Sequence, residues 1–99
     1  MKIKFSRGKP ETIVKRVKTE IKNKELSNLV EVSRKQKRLY LTFTKLGTTT
    51  LTFKEEPSPQ GVLWALEKEK IAFSHKVFKE TMTHKIHGII EKMGGELIS

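Results

Sequence analysis

Hydrophobic and polar residues alternate most regularly in Arg38–Lys54, where two short runs carry an apolar residue at every second position. A period of two, with β-branched and aromatic residues, is typical of strands that bury one face. The intervening threonines are expected to face water, as one side of an antiparallel sheet often does. The segment therefore predicts a β-hairpin. Its apolar positions are Leu39, Leu41, Phe43, Leu51 and Phe53.

The register of this hairpin follows from the requirement that the apolar residues of both strands share one face. A loop with an even number of residues would place the apolar side chains of one strand on the opposite face. We expect Phe43 opposite Leu51 and Leu41 opposite Phe53, joined by a three- or five-residue loop around Gly47. Glycine supplies the positive φ angle that such loops need.

Two other segments have the periodicity of amphipathic helices. Pro10–Asn23 begins with a proline, which suits a first helical turn, and Glu11 follows at the positive end of the helix dipole. His75–Met93 is followed by Gly94 and Gly95, which favour a helix end. The apolar stripes are Ile13, Val14, Val17 and Ile21 in the first helix, and Phe78, Met82, Ile86, Ile89, Ile90 and Met93 in the second.

Four shorter segments lie in the first two thirds of the chain. Lys2–Phe5 and Leu29–Ser33 have the alternation of short strands. The connector Arg34–Lys37 contains no glycine, asparagine or proline, so a four-residue loop is expected there rather than a tight type I′ turn. Glu55–Gly61 contains two prolines and a glycine, which indicates a loop.

The segment Val62–Lys70 is compatible with two structures. It can form a strand, Val62–Leu66, that turns at the EKEK run into a second strand, Ile71–Ser74. It can also form a helix that starts at Pro59, because Glu and Lys are good helix formers. The short apolar runs favour the strands. Trp64 is expected in the core in both cases.

The resulting order of elements is β-α-β-β-β, then two strands or a helix, then α. It predicts a single α+β domain over residues 1–99, with an antiparallel sheet of four to six strands and two long amphipathic helices packed on one face.

Composition narrows the class of protein. The chain is 35% hydrophobic and 32% charged, which is typical of a globular domain rather than a disordered segment. It contains no cysteine, which excludes disulfides, thiolate nucleophiles and cysteine-based zinc sites. The longest apolar run, Val62–Leu66, is too short for a transmembrane segment, and the N-terminal residues do not resemble a signal peptide. A soluble, cytoplasmic protein is therefore the expectation.

The net charge of +10 is concentrated in one half of the chain. Residues 1–46 carry 14 Lys or Arg against 4 Glu, whereas residues 47–99 carry 7 Lys against 7 Glu. Such asymmetry predicts a polyanionic partner, nucleic acid in particular, with Tyr40 available to stack on a base. The predicted nucleic-acid-binding residues are Lys15, Arg16, Lys18, Lys22, Arg34, Lys35, Lys37 and Arg38.

An alternative is a protein-interaction or structural domain whose charge only keeps it in solution. Lysines outnumber arginines, and no aromatic residue interrupts the basic run, which weakens the usual signature of a nucleic-acid-binding protein. One continuous basic patch would favour the first interpretation. Dispersed cations, or an apolar surface patch, would favour the second and a protein partner.

Metal binding and catalysis are the remaining classes of function. Glu80, His84, His87 and Glu91 share one face of the second helix, opposite its apolar stripe. Four ligands spread over three turns of one helix cannot converge on one ion, so a surface face with Glu–His pairs is expected and no metal site. No nucleophile motif and no glycine-rich phosphate loop is present. We therefore expect no cofactor and no enzyme activity.

Overall fold

The computed structural model describes residues 1–44, 47–72 and 79–98, and it is an α+β structure with one antiparallel six-stranded sheet. The strands lie in the order β2-β3-β4-β5-β1-β6, so the predicted fold class is confirmed. The elements are β1 (Lys2–Phe5), α1 (Pro10–Asn23), β2 (Val30–Lys35), β3 (Arg38–Thr44), β4 (Thr48–Pro57), β5 (Val62–Lys70), α2 (Lys79–Lys92) and β6 (Glu96–Ile98).

Helix α1 has the predicted bounds, the described part of α2 is Lys79–Lys92, and each of these ranges has 14 residues. The prediction of two long helices is therefore not confirmed, and residues 73–78, which include Phe78, lie outside the described part of the chain. Neither described helix has the length and apolar character needed to cross a membrane.

One face of the sheet carries the hydrophobic core. The buried strand residues alternate along each strand, and buried residues of both helices belong to the same cluster. Burial of this kind contributes about 25 cal/mol per Å² of apolar area and is the main stabilising term. No buried hydrophobic residue of the described strands lies on the opposite face, which we call the open face. The largest fully buried core side chains are Trp64, Phe53, Ile13 and Val62.

The hairpin of β3 and β4 is confirmed, but its predicted register is wrong by two residues. Leu41 stands opposite Leu51 and Phe43 opposite Thr49, so that three residues separate the two strands. The apolar residues of both strands still share one face, because the loop has an odd number of residues, as predicted. Thr49 is tolerated on the core side because its Oγ1 accepts a hydrogen bond from the backbone N–H of Ala72, at 2.9 Å.

The turn between β2 and β3 is tighter than predicted. Lys35 pairs with Arg38, which leaves only Gln36 and Lys37 in the turn instead of a four-residue loop. Their φ angles are 51° and 60°, in the left-handed region that type I′ hairpin turns require. These two non-glycine residues are held in the left-handed region because β2 and β3 pair without interruption from Val30 to Lys35. This pairing fixes the length of the turn at two residues.

The ambiguous segment Val62–Lys70 is one nine-residue strand, so the helical alternative is wrong. The EKEK run continues β5 instead of forming a turn, because the whole strand pairs with β4. The second strand predicted at Ile71–Ser74 is not observed at its first two residues, and residues 73 and 74 lie outside the described ranges.

Strand β5 contains a β-bulge. Phe53 of β4 stands opposite Leu66, but Thr52 stands opposite Lys68, which leaves Glu67 as the extra residue. A bulge re-aims side chains locally. The bulge therefore determines where the Glu67 carboxylate lies on the open face.

A further strand, β6, follows α2. Leu97 of β6 pairs with Ile3 of β1, and Leu97 packs against the core. Gly94, with a φ angle of 85°, takes the conformation that ends the helix and lets the chain return to the sheet edge.

Candidate nucleic-acid interface

Cations occupy one cross-strand row of the open face. Lys35, Arg38, Lys54, Ala65 and Lys2 are successive Cα partners across β2, β3, β4, β5 and β1. We call the four cations of this row the basic row. With strands about 4.8 Å apart, the row is about 19 Å long from end to end. It draws on three separate segments of the sequence.

The basic row contains like charges directly opposite one another, which is destabilising. Glu67 compensates in part: its carboxylate accepts hydrogen bonds from Nε and Nη2 of Arg38, at 2.9 and 3.3 Å. The hydrogen bond from Arg38 lowers the pKa of Glu67, and the charge of Lys54 acts in the same direction. One carboxylate therefore offsets part of a row of four cations, and the three lysines are exposed to solvent.

Neutral hydroxyl groups cover the open face beside the basic row. Tyr40 pairs with Thr52, and in the next row Thr42 pairs with Thr50. All four side chains are half-buried, and we call them the hydroxyl field. Tyr40 lies close enough to Arg38 to influence its ionisation, although the hydrogen bond from Arg38 to Glu67 is the main reason that the pKa of Arg38 is raised.

Two more lysines border the hydroxyl field on β5. Lys68 stands opposite Thr52, and Lys70 stands opposite Thr50. Both lysines are exposed. The hydroxyl field is therefore flanked by cations along the basic row and along β5.

Four of the eight predicted residues lie on a different surface, the exposed side of α1. The contact between Lys92 Nζ and Glu20 Oε1, at 2.8 Å, identifies the side of α1 that faces α2. Lys18 and Lys22 are each two residues from Glu20, so they point about 160° away from Glu20 around the helix axis. Because α1 belongs to the core layer, these cations and the basic row lie on different layers of the molecule. The four residues are Lys15, Arg16, Lys18 and Lys22, all exposed.

The Arg34 side chain lies on the core side of the sheet, where it is held by acidic side chains of the protein itself. Its Nε and Nη2 donate to the two carboxylate oxygens of Glu55, each at 2.7 Å, and its Nη1 lies 3.7 Å from Glu11 Oε1. Trp64 Nε1 donates to the same Glu55 carboxylate at 3.1 Å. These four residues form what we call the buried network, in which Glu55 and Trp64 are buried and Glu11, whose side chain is 64% exposed, contacts Arg34 from the surface.

The protonation of the buried network is fixed by its hydrogen bonds. The bond from Arg34 is the main cause that lowers the pKa of Glu55; burial opposes it, and the bond from Trp64 assists it. The same Arg34–Glu55 bond raises the pKa of the arginine. Both groups are therefore charged at neutral pH, and the guanidinium of Arg34 is already occupied by a bidentate partner.

The remaining predicted residues lie near the basic row. Lys35 and Arg38 belong to it, and Lys37 is exposed in the turn that joins their strands. The structure thus places two of the eight predicted residues, Lys35 and Arg38, in one row with Lys54 and Lys2, which the sequence analysis did not select. The available signal was parity: Lys54 follows the alternation of Thr50 and Thr52, and it therefore falls on the threonine face.

The predicted Glu–His face of α2 has one observed contact, between His87 Nε2 and Glu91 Oε1 at 3.0 Å. His84 and Glu91 are exposed, and the side chain of Glu80 lies outside the described part of the structure. Among the described residues, no three histidine or acidic side chains are grouped so that they could hold a metal ion.

Comparison with known proteins assigns no family to the chain. No family model matches the chain, and neither a curated protein nor a solved structure is significantly similar to it.

Proposed function

We propose that this protein is a small binding protein whose basic N-terminal half engages a polyanion, with nucleic acid as the main class of partner. The observation that carries the proposal is the direct opposition of Lys35, Arg38 and Lys54 on three adjacent strands. Like charges in such positions cost folding free energy, and a bound phosphate backbone would remove that cost.

The distribution of apolar residues also supports this class of partner. Within the described ranges, Ile98 is the single large hydrophobic residue that is exposed, at 37%. Protein-binding surfaces usually present a contiguous apolar patch of several hundred Å². The open face presents lysines and hydroxyl groups, which suit contacts with phosphate and sugar, together with the exposed glutamates Glu31, Glu56, Glu67 and Glu96.

The proposal is tested by comparing two charge-reversed variants. One carries Lys2→Glu, Lys35→Glu and Lys54→Glu in the basic row. The other carries the same change at Lys15, Lys18 and Lys22 on α1. All six lysines are exposed, and both variants lower the net charge equally, so a non-specific effect of net charge would weaken binding equally.

The measurement is the fluorescence anisotropy of labelled single-stranded DNA, duplex DNA and RNA at two salt concentrations. We expect binding of the unmodified protein that weakens steeply with salt, because phosphate contacts release counterions. The basic-row variant should lose most of this binding, and the α1 variant should lose less. Absence of binding by the unmodified protein at low salt, where electrostatic attraction is strongest, would refute the proposal and favour the protein-interaction alternative.

A further inference from the structure

We infer that the open face binds single-stranded nucleic acid, with the phosphate backbone along the basic row and a base stacked on Tyr40. This inference rests on the proposed function and goes beyond it, because it names the kind of nucleic acid and the surface. It also excludes α1 from the principal contact.

The position of Tyr40 relative to the cations is the first argument. Tyr40 follows Arg38 by two residues on β3, so both side chains lie on the open face, one row apart. It pairs with Thr52, next to Lys54 along β4. A strand whose phosphates contact Arg38 and Lys54 would bring a base over the tyrosine ring. Base–aromatic stacking beside a positively charged track is the usual arrangement in single-strand binding.

The hydroxyl field is the second argument. Tyr40 is half-buried, and its cross-strand partners, Ser33 and Thr52, have short, uncharged side chains, as do Thr42 and Thr50 of the next row. Threonine hydroxyl groups both donate and accept hydrogen bonds, so they are compatible with the edges of any base. Such a surface favours binding with little dependence on base sequence.

The architecture of the sheet is the third argument. Reading of duplex DNA in the major groove requires a helix or a two-stranded ribbon that projects into the groove. The described helices contribute their buried residues to the core on the other side of the sheet, and within the described ranges the open face presents strand side chains. In a duplex, the faces of the bases are covered by their neighbours and cannot reach Tyr40, whereas unstacked single strands expose them.

Glu67 is expected to compete with the bound phosphates. It is held at Arg38 by two hydrogen bonds, so a phosphate that binds Arg38 must share or displace this carboxylate. The substitution Glu67→Gln removes the negative charge and keeps the side-chain size. It should strengthen binding roughly twofold to fivefold at low salt, the range of an exposed ion pair. Glu91→Gln on α2, which changes the net charge equally, should have little effect.

The stacking contact is tested with three labelled probes of equal length, about 15 nucleotides, to cover typical site sizes. They are oligothymidylate, an abasic strand with the same phosphates, and a duplex. We expect Tyr40→Leu to weaken binding of oligothymidylate roughly fivefold to a hundredfold, the range for loss of one stacked base. Tyr40→Phe should bind as the unmodified protein does, since the ring is retained. Binding of the abasic strand should be unaffected by either change.

The outcomes separate this inference from the proposed function. If all three probes bind equally and Tyr40→Leu has no effect, the protein binds polyanions but the stacking inference is wrong. If the α1 variant loses binding while the basic-row variant retains it, the open face is not the binding surface, and the inference is wrong on this point as well. If no probe binds, the proposed function itself fails. Thermal unfolding of each variant establishes that a loss of binding is not a loss of structure.

Discussion

The buried network of Glu11, Arg34, Glu55 and Trp64 allows a sharp prediction about stability. The Glu55 side chain is only 7% exposed and receives two hydrogen bonds from Arg34 and one from Trp64. Replacement of Arg34 by methionine keeps much of the apolar stem but leaves the carboxylate buried without its cation. Removal of one partner of a buried ion pair usually costs 3–5 kcal/mol.

The expected magnitude for Arg34→Met is smaller than this range because the Arg34 side chain is 23% exposed and water can partly replace it. We expect a loss of about 2–4 kcal/mol. Glu55→Gln retains an acceptor for Trp64 Nε1 and leaves Arg34 free to turn toward solvent, so it should cost about 1–2 kcal/mol. The double variant should be more stable than Arg34→Met alone, since a neutral amide is cheaper to bury than an unpaired carboxylate.

The assay is equilibrium unfolding in urea, followed by the fluorescence of Trp64, the one tryptophan in the chain, and by far-ultraviolet circular dichroism. Trp64 is 1% exposed, so its emission should report loss of the core directly. A domain of this size has a total stability of about 5–15 kcal/mol, and all three variants should remain folded at neutral pH. Agreement of the two signals supports two-state analysis.

The pH dependence gives a second readout of the same contact. Arg34 lowers the pKa of Glu55 below its ordinary value of 4.5, so the contact stabilises the protein above that pH and is lost as the pH falls through the lower, folded-state pKa. The cost of Arg34→Met should therefore be large at pH 7 and shrink below about pH 4.5. A cost under about 1 kcal/mol at pH 7, or a cost that stays constant down to pH 3, would refute the role assigned to the network.

Four backbone positions give further predictions, all measured by thermal or urea unfolding. Replacement of Gln36 and Lys37 by Asn and Gly should stabilise the protein by about 1 kcal/mol, since both residues have positive φ angles; a loss of stability would contradict the type I′ assignment. Gly61→Ala should cost at least about 3 kcal/mol, because a Cβ would collide with the backbone of Phe5. Gly88→Ala should instead stabilise by about 1 kcal/mol, because a Cβ there meets open space on an exposed helix; equal effects of the two alanines would be inconsistent with the structure.

The sequence predicted those elements whose local pattern agrees with their tertiary environment. The alternation in Arg38–Lys54 and the stripe in Pro10–Asn23 are strong because each element buries one side. The errors occurred where long-range pairing overrides local preference. Gln36 and Lys37 have no turn propensity of their own, and the EKEK run favours a helix, yet strand pairing holds both segments in other conformations.

The candidate site could be predicted only in part, because a surface patch is a property of the sheet and not of any one segment. Runs of adjacent cations attract attention in a sequence, but successive residues of a strand point to opposite faces. Arg34 and Lys35 are neighbours in sequence, yet one enters the core and the other joins the basic row. Lys2 and Lys54 are distant in sequence but belong to the same row, and only the strand order brings them together.

The arginines and the exposed lysines of the sheet have different roles. Arg34 and Arg38 each hold one glutamate through two hydrogen bonds, as their planar guanidinium groups allow. The exposed lysines of the basic row remain available as mobile point charges, which suits contact with phosphates rather than recognition of bases. If three lysines and Arg38 neutralise one phosphate each, the logarithm of the binding constant should fall with the logarithm of salt with a slope of about −3 for a single strand. Loss of the three lysines should bring the slope near −1, whereas a slope of about −5 or steeper in the unmodified protein would mean that cations outside the basic row contribute, and the slope of the α1 variant would then distinguish α1 from Lys68 and Lys70 of the open face.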